Sequence, residues 1–97
     1  MATYLILSNW TEQGIKDVKE SSRRLDAGRE LARTFGVEVT DFYMTLGAYD
    51  MVARLEAPSD EAVAKYIIAL CSGGAIRTTT LKAFTEAEYR EIIQALP

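Results

Sequence analysis

Residues 49–56 read Tyr49-Asp50-Met51-Val52-Ala53-Arg54-Leu55-Glu56. Tyr49, Met51, Ala53 and Leu55 alternate with Asp50, Val52, Arg54 and Glu56, the two-residue period of a strand with one face on a core and the other turned away. The preceding stretch, Val37 to Leu46, carries Val39, Phe42, Tyr43 and Met44 and runs into Gly47-Ala48, so the two segments predict an antiparallel hairpin. The same parity turns Phe42, Met44 and Leu46 inward and leaves Asp41, Tyr43 and Thr45 on the open face.

Helical signals flank this hairpin. From Ser22 to Phe35, the positions Leu25, Gly28, Leu31, Ala32 and Phe35 recur at intervals of three and four, one apolar stripe on a helix that Gly36 ends. After the hairpin, Ser59 or Asp60 caps a second helix with Val63, Tyr66, Ile67 and Leu70 at helical spacing, which stops at Gly73-Gly74. The ends of the chain supply two more strands. Thr3 to Trp10 is rich in strand formers and leads to Thr11, which can cap a short turn from Glu12, and the threonine-rich run Ala75 to Phe84 has β-branched content. Thr85-Glu86-Ala87-Glu88 then forms a capping box before Tyr89, Ile92, Ile93 and Leu96, predicting a terminal amphipathic helix.

The order is β-α-β-β-α-β plus a C-terminal helix, an α+β ferredoxin-like domain over residues 1–97, with both main helices on one face of a four-stranded antiparallel sheet of order 4-1-3-2. A domain of 97 residues buries only about 60–65% of the surface its unfolded chain exposes, so self-association adds useful stability. Strand one assigns less readily than the others. Leu5 and Leu7 are the natural helix-facing residues, which leaves Tyr4, Ile6, Ser8 and Trp10 on the open face, a set too apolar to rest in water. A second sheet from an identical subunit would cover it and enclose Ser8, Tyr43, Asp50 and Arg54 near a shared cavity, a dimeric α/β barrel. The competing reading packs Trp10 at the strand end against Ile15 and Val18.

Composition removes several classes of function. A net charge of −3 repels phosphate backbones, and strand three lacks the spaced stacking aromatics of an RNA-recognition sheet, so nucleic acid is not an expected partner. No apolar run approaches the roughly 18–20 residues that cross a bilayer, and no leader-like segment precedes strand one. The lone Cys71 fits a cytoplasmic setting and reads as a packed thiol. The absence of histidine removes the common haem ligand, most zinc sites and any imidazole-activated nucleophile, so no metal or cofactor is expected. Gly73-Gly74 ends a helix rather than opening one and is no phosphate loop.

Leu46-Gly47-Ala48-Tyr49-Asp50-Met51-Val52 resembles the signature of the GYD domain family. Asn9-Trp10-Thr11-Glu12-Gln13-Gly14, Glu56-Ala57-Pro58-Ser59-Asp60-Glu61, Arg77-Thr78-Thr79-Thr80-Leu81 and Ala83-Phe84-Thr85 resemble further blocks of it, and together they span nearly the whole chain. The resemblance implies the dimeric α/β barrel superfamily, whose members include small-molecule sensors, cofactor-independent monooxygenases, haem-processing enzymes and isomerases. The Gly-x-Tyr-Asp turn also resembles that of the effector domain of leucine-responsive regulators, where the hairpin lies near an inter-subunit ligand site; no helix-turn-helix accompanies it here. Read from the residues, Gly47 supplies a positive φ and Asp50 accepts bonds from nearby amides, a structural role that stands beside one in ligand binding or interface registration.

Two functions follow as expectations. The first is a small homo-oligomeric domain that binds a small organic ligand or serves as an assembly module, with Ser8, Asn9, Trp10, Tyr43, Tyr49, Asp50 and Arg54 as candidate ligand-binding residues. The alternative is a cofactor-independent monooxygenase or isomerase acting on a small aromatic substrate, in which Asn9, Trp10, Tyr43 and Asp50 would have to converge to desolvate the substrate and assist a proton transfer.

Overall fold

A computed structural model describes all residues, Met1 to Pro97. The elements are β1 (Ala2–Trp10), α1 (Glu12–Lys16), α2 (Ser21–Thr34), β2 (Glu38–Met44), β3 (Met51–Ala57), α3 (Asp60–Cys71), β4 (Ile76–Ala83) and α4 (Glu86–Gln94), with a short 3-10 turn at Val18–Glu20 before α2. The strands form one antiparallel sheet in the order β2-β3-β1-β4. This is the ferredoxin-like arrangement expected from the sequence; within one chain the sheet is open rather than closed into a barrel.

The helix ends follow the residues that satisfy their free amides and carbonyls. Thr11 Oγ1 accepts the Gly14 amide at 3.1 Å, and Ser59 Oγ accepts the Ala62 amide at 3.1 Å. Thr85 and Glu88 form the reciprocal pair anticipated at α4, with bonds of 3.2 and 2.8 Å. At the end of α2, Gly36 takes φ 73° and the Val37 and Gly36 amides reach back to the Ala32 and Arg33 carbonyls, both at 3.0 Å, which closes the last turn in a Schellman motif. The loop before β4 is sewn to α1: the Thr11 amide donates to the Ala75 carbonyl at 3.1 Å and its hydroxyl to the Gly74 carbonyl at 2.5 Å. Gly14 faces this loop so closely that a Cβ there would lie 1.9 Å from the Ala75 oxygen.

The register of β1 reverses one expectation. Tyr4 lies opposite Leu55, Ile6 opposite Ala53 and Ser8 opposite Met51, so these β1 residues share the helix-facing side with the inward set of β3. Tyr4 and Ile6 are each only 3% exposed and belong to the core with Ala32, Val37, Leu55, Ala57, Val63 and Tyr66. Leu5 and Leu7 are the residues on the open face. The physical reason is that β1 is apolar on both parities, so hydrophobicity alone does not choose between them; pairing with β3 does.

The hairpin also differs from a tight turn at Gly47-Ala48. β2 ends at Met44 and β3 begins at Met51, with the Thr45 amide bonded to the Asp50 carbonyl at 2.8 Å across the connection. Gly47 has φ 129°, as the turn required, but Leu46 projects outward and is 96% exposed rather than inward. Tyr49 lies in the turn instead of on β3.

Only 13 of 97 residues are buried, and the Cα radius of gyration of 14.7 Å exceeds the roughly 12.5 Å of a compact chain of this length. The excess comes from α4, which stands largely clear of the other elements: every residue from Glu86 to Pro97 is exposed.

Beneath the start of α3, the buried Tyr4 donates its hydroxyl proton to the Asp60 carboxylate, and Lys82 Nζ approaches the same carboxylate at 3.3 Å. That hydrogen bond, reinforced by burial of the ring and the negative charge on Asp60, pushes the Tyr4 pKa up to about 12. The neutral phenol is the form the fold prefers, so this stabilisation is whole below pH 10 and is lost as pH rises through about 12. Between pH 10 and 12, chemical denaturation of wild type should therefore lose more stability than that of Tyr4→Phe, by on the order of 1 kcal/mol given the water around exposed Asp60. Parallel profiles would remove the linkage.

Candidate functional site

Two candidate places lie on opposite sides of the sheet. The first is a hollow of about 260 Å³ between α2, α3 and the sheet. The core fills the end of the helix layer where Leu55 and Ala57 meet Val37 and Val63, and the hollow occupies the other, floored by Ile6, Met51 and Ala53 and roofed by Leu25, Gly28 and Leu70. Small residues leave the space. The Tyr66 hydroxyl donates to the Gly28 carbonyl at 3.0 Å, and a Cβ at Gly28 would meet the Tyr66 oxygen at 3.6 Å and Leu70 at 3.4 Å, ordinary van der Waals contact.

Sixteen of the 21 residues around the hollow are hydrophobic, so water inside it finds few partners and an apolar guest is favoured. Its wall is braced by polar contacts. Arg24 donates to the Gly14 and Asp17 carbonyls, both at 3.1 Å, and the Trp10 indole N–H donates to Ser21 Oγ at 3.4 Å.

The second place is the open face of the sheet. Leu7 lies between Val52 and Thr79, Leu5 between Arg54 and Leu81, and Tyr43 beside Val52. Leu5, Leu7 and Val52 are half-buried, while Tyr43 is 62% and Leu81 44% exposed. Arg54 pairs with Glu56 at 2.8 Å, and the Thr3 hydroxyl bonds both Glu56 oxygens at 3.0 and 2.9 Å. This leaves an apolar centre with a polar border along one side.

The seven candidate residues divide between these places. Ser8 and Trp10 line the hollow, on the helix side rather than on the open face where their parity had put them. Trp10 meets Ser21 at the start of α2. Tyr43 and Arg54 are on the open face, and Tyr49 is half-buried in the turn, where its carbonyl accepts the Thr45 hydroxyl at 2.6 Å. Asn9 and Asp50 knit the turn to the end of β1: the Asp50 amide donates to Asn9 Oδ1 at 3.0 Å and to the Ser8 carbonyl at 2.9 Å, while Asp50 Oδ2 accepts the Trp10 amide at 3.0 Å. One chain therefore does not gather Asn9, Trp10, Tyr43 and Asp50 around a common point.

Sequence reasoning missed Arg24, Arg29, Met51 and Ile76 as lining residues of the hollow. The available signal was the small residues on the inner stripe of α2. No set of three His, Cys, Asp or Glu side chains is placed to hold a metal ion, and no helix is long and apolar enough to cross a membrane. Cys71 is half-buried, its sulfur 3.5 Å from the Thr78 hydroxyl.

An open four-stranded antiparallel sheet with two main helices on one side places the molecule among the ferredoxin-like α+β domains. The chain belongs to the GYD domain family, whose model matches residues 4–93. It is 38% identical over 89 residues, 91% of this chain and 94% of the relative, to the glutamine synthetase and cystathionine beta-lyase binding protein of Thermus thermophilus. Two crystal structures share its fold. MtbAldR superposes with a TM-score of 0.68 at 16% identity over 88% of this chain, which spans about half (52%) of that protein. TTHA0845, also from Thermus thermophilus, superposes with a TM-score of 0.57 at 24% identity, covering 88% of this chain and 95% of that one.

The two bonds that Asn9 and Asp50 make serve one junction. Asp50→Ala should cost about 1–2 kcal/mol and Asn9→Ala about 1 kcal/mol in urea unfolding. Because both hold the same turn, the double variant should lose at least about 0.5 kcal/mol less than the sum of the singles. Strict additivity would mean that the bonds act independently.

Proposed function

We propose that this chain is a non-catalytic, homo-oligomeric binding domain whose open sheet face pairs with that of a second copy and whose hollow receives a small organic ligand. The observation that carries the pairing is the set Leu5, Leu7, Val52, Tyr43 and Leu81 on the side of the sheet away from α2 and α3. Facing sheets pack about 10 Å apart with interdigitating side chains, and a two-fold pairing sets this patch against itself. The ligand half of the reading is supported by the apolar lining of the hollow and by its location beneath helices that are braced rather than collapsed onto it.

Leu7→Asp tests the pairing, since a two-fold contact brings two carboxylates into one apolar patch. Sedimentation should show wild type as a dimer and Leu7→Asp as a folded monomer at equal concentration, with self-association weakened by about 100-fold or more in the variant. A wild type that stays monomeric at tens of micromolar, or a variant that still dimerises, would count decisively against it.

A second reading, attachment to other proteins, has its own support in α4. Tyr89, Ile92 and Ile93 are 44–58% exposed on a helix with little else to pack on, and Leu96 just beyond its end is 61% exposed; amphipathic helices of this kind lay their apolar face into grooves of partners. The Thermus thermophilus relative is named for binding glutamine synthetase and cystathionine beta-lyase. With those two enzymes purified, wild type should co-sediment with at least one, and the double variant Ile92→Asp, Ile93→Asp should not, while retaining its helical circular dichroism. Absence of co-sedimentation by wild type sinks this reading and leaves the sheet pairing untouched.

A further inference from the structure

Two arginines line the hollow, and they are not alike. Arg24 spends its guanidinium on the Gly14 and Asp17 carbonyls. Arg54, also half-buried, pairs with Glu56 on the far side of the sheet. Arg29 is half-buried and borders the hollow, and its guanidinium has neither an ion pair nor a hydrogen bond. No aspartate or glutamate lines the space, so its only charged groups are positive. The Arg29 charge also acts on the Tyr66 hydroxyl, partly opposing the burial that raises that group's pKa.

We infer that the hollow takes a small monocarboxylic acid, its apolar body between Leu25, Ile6 and Met51 and its carboxylate on Arg29. This deepens the ligand half of the function proposed above and rests on it. A guanidinium offers a carboxylate two parallel N–H donors, whereas an unpaired one in partly apolar surroundings has lost water without replacement. Size limits the body. A cavity of about 150 Å³ accepts benzene, so about 260 Å³ has room for a six-membered ring and a short acid side chain. The neutral amide of the same acid fits the same volume but offers Arg29 no negative charge.

Trp10 is the single tryptophan of the chain and lines the hollow, so its fluorescence reports occupancy without a label. Titration of 3-cyclohexylpropanoate and 3-cyclohexylpropanamide, neither of which absorbs with indole, separates the outcomes. The acid should bind wild type about 10- to 100-fold more tightly than the amide, the range of one charge-assisted pair. Arg29→Gln should abolish that preference by bringing the acid's affinity down to that of the amide, and Arg29→Lys should restore part of it. Equal binding of acid and amide by wild type would overturn the acid inference and leave the hollow as a binding place. A preference that survives Arg29→Gln would overturn the assignment to Arg29. No fluorescence change and no calorimetric heat with either compound would overturn both the inference and the ligand reading beneath it.

Discussion

Ile6 faces Ala53 across the β1–β3 ladder, and that pairing settles which side of the sheet every other β1 side chain takes. It sends Tyr4 and Ile6 into the core and Ser8 and Trp10 to the hollow, and it leaves Leu5 and Leu7 outside. A slip of one residue would exchange the two sets, burying different side chains and erasing the linings of both the hollow and the open face. The register is held at both ends. Tyr4 is tied to Asp60 at the start of α3, and at the other end Asp50 holds the Trp10 amide while Asn9 holds the Asp50 amide.

Packing above the sheet is uneven because side-chain volume is uneven. Where Val37, Leu55 and Val63 meet, the helices close on the strands; where Gly28, Ala53 and Ala69 line the hollow, they do not. A void of this size is ordinarily closed by relaxation, since its lining lacks dispersion partners. Here the Arg24 bonds to two backbone carbonyls and the contact of Trp10 with Ser21 tether the start of α2 to the α1 segment and the end of β1. The tethers use exposed or half-buried polar groups, so they fix the helix without filling the space beneath it.

Much of the fold was legible because its signals are local. Thr11, Ser59 and the Thr85–Glu88 pair cap helices by bonds that depend on residues three apart, and Gly36 ends α2 because its φ of 73° suits glycine. The face of β1 was not legible, since Tyr4-Leu5-Ile6-Leu7 is apolar at every position and the deciding partner lies some 47 residues away, at Ala53. That one parity error carried Ser8 and Trp10 to the wrong side. Asp50 and Asn9 were found through turn chemistry, which is short-range, but as candidates for a ligand rather than as each other's partners. Arg29 escaped because a lone charge on a helix is usually solvated, and only the three-dimensional neighbourhood separates it from Arg23 and Arg33, which pair with Glu20 and Glu30 on the surface.

β1 thus serves as the wall between the hollow and the open face, with Ile6 on one side and Leu5 and Leu7 on the other. Whether events on the two sides communicate depends on how far that wall can move. β1 is paired with β3 from Ala2 to Ser8 and with β4 from Thr3 to Trp10, so displacing it strains two ladders at once, and interiors of this kind answer by switching between discrete arrangements rather than bending by degrees. Neither ladder contains a bulge; the one register shift in the sheet lies between β2 and β3, at Val39 and Asp41. A ligand in the hollow would therefore have little leverage on the open face through β1. The more compliant edge of the sheet is β2, where Phe42 borders the hollow, Tyr43 faces out and the register shifts between Val39 and Asp41.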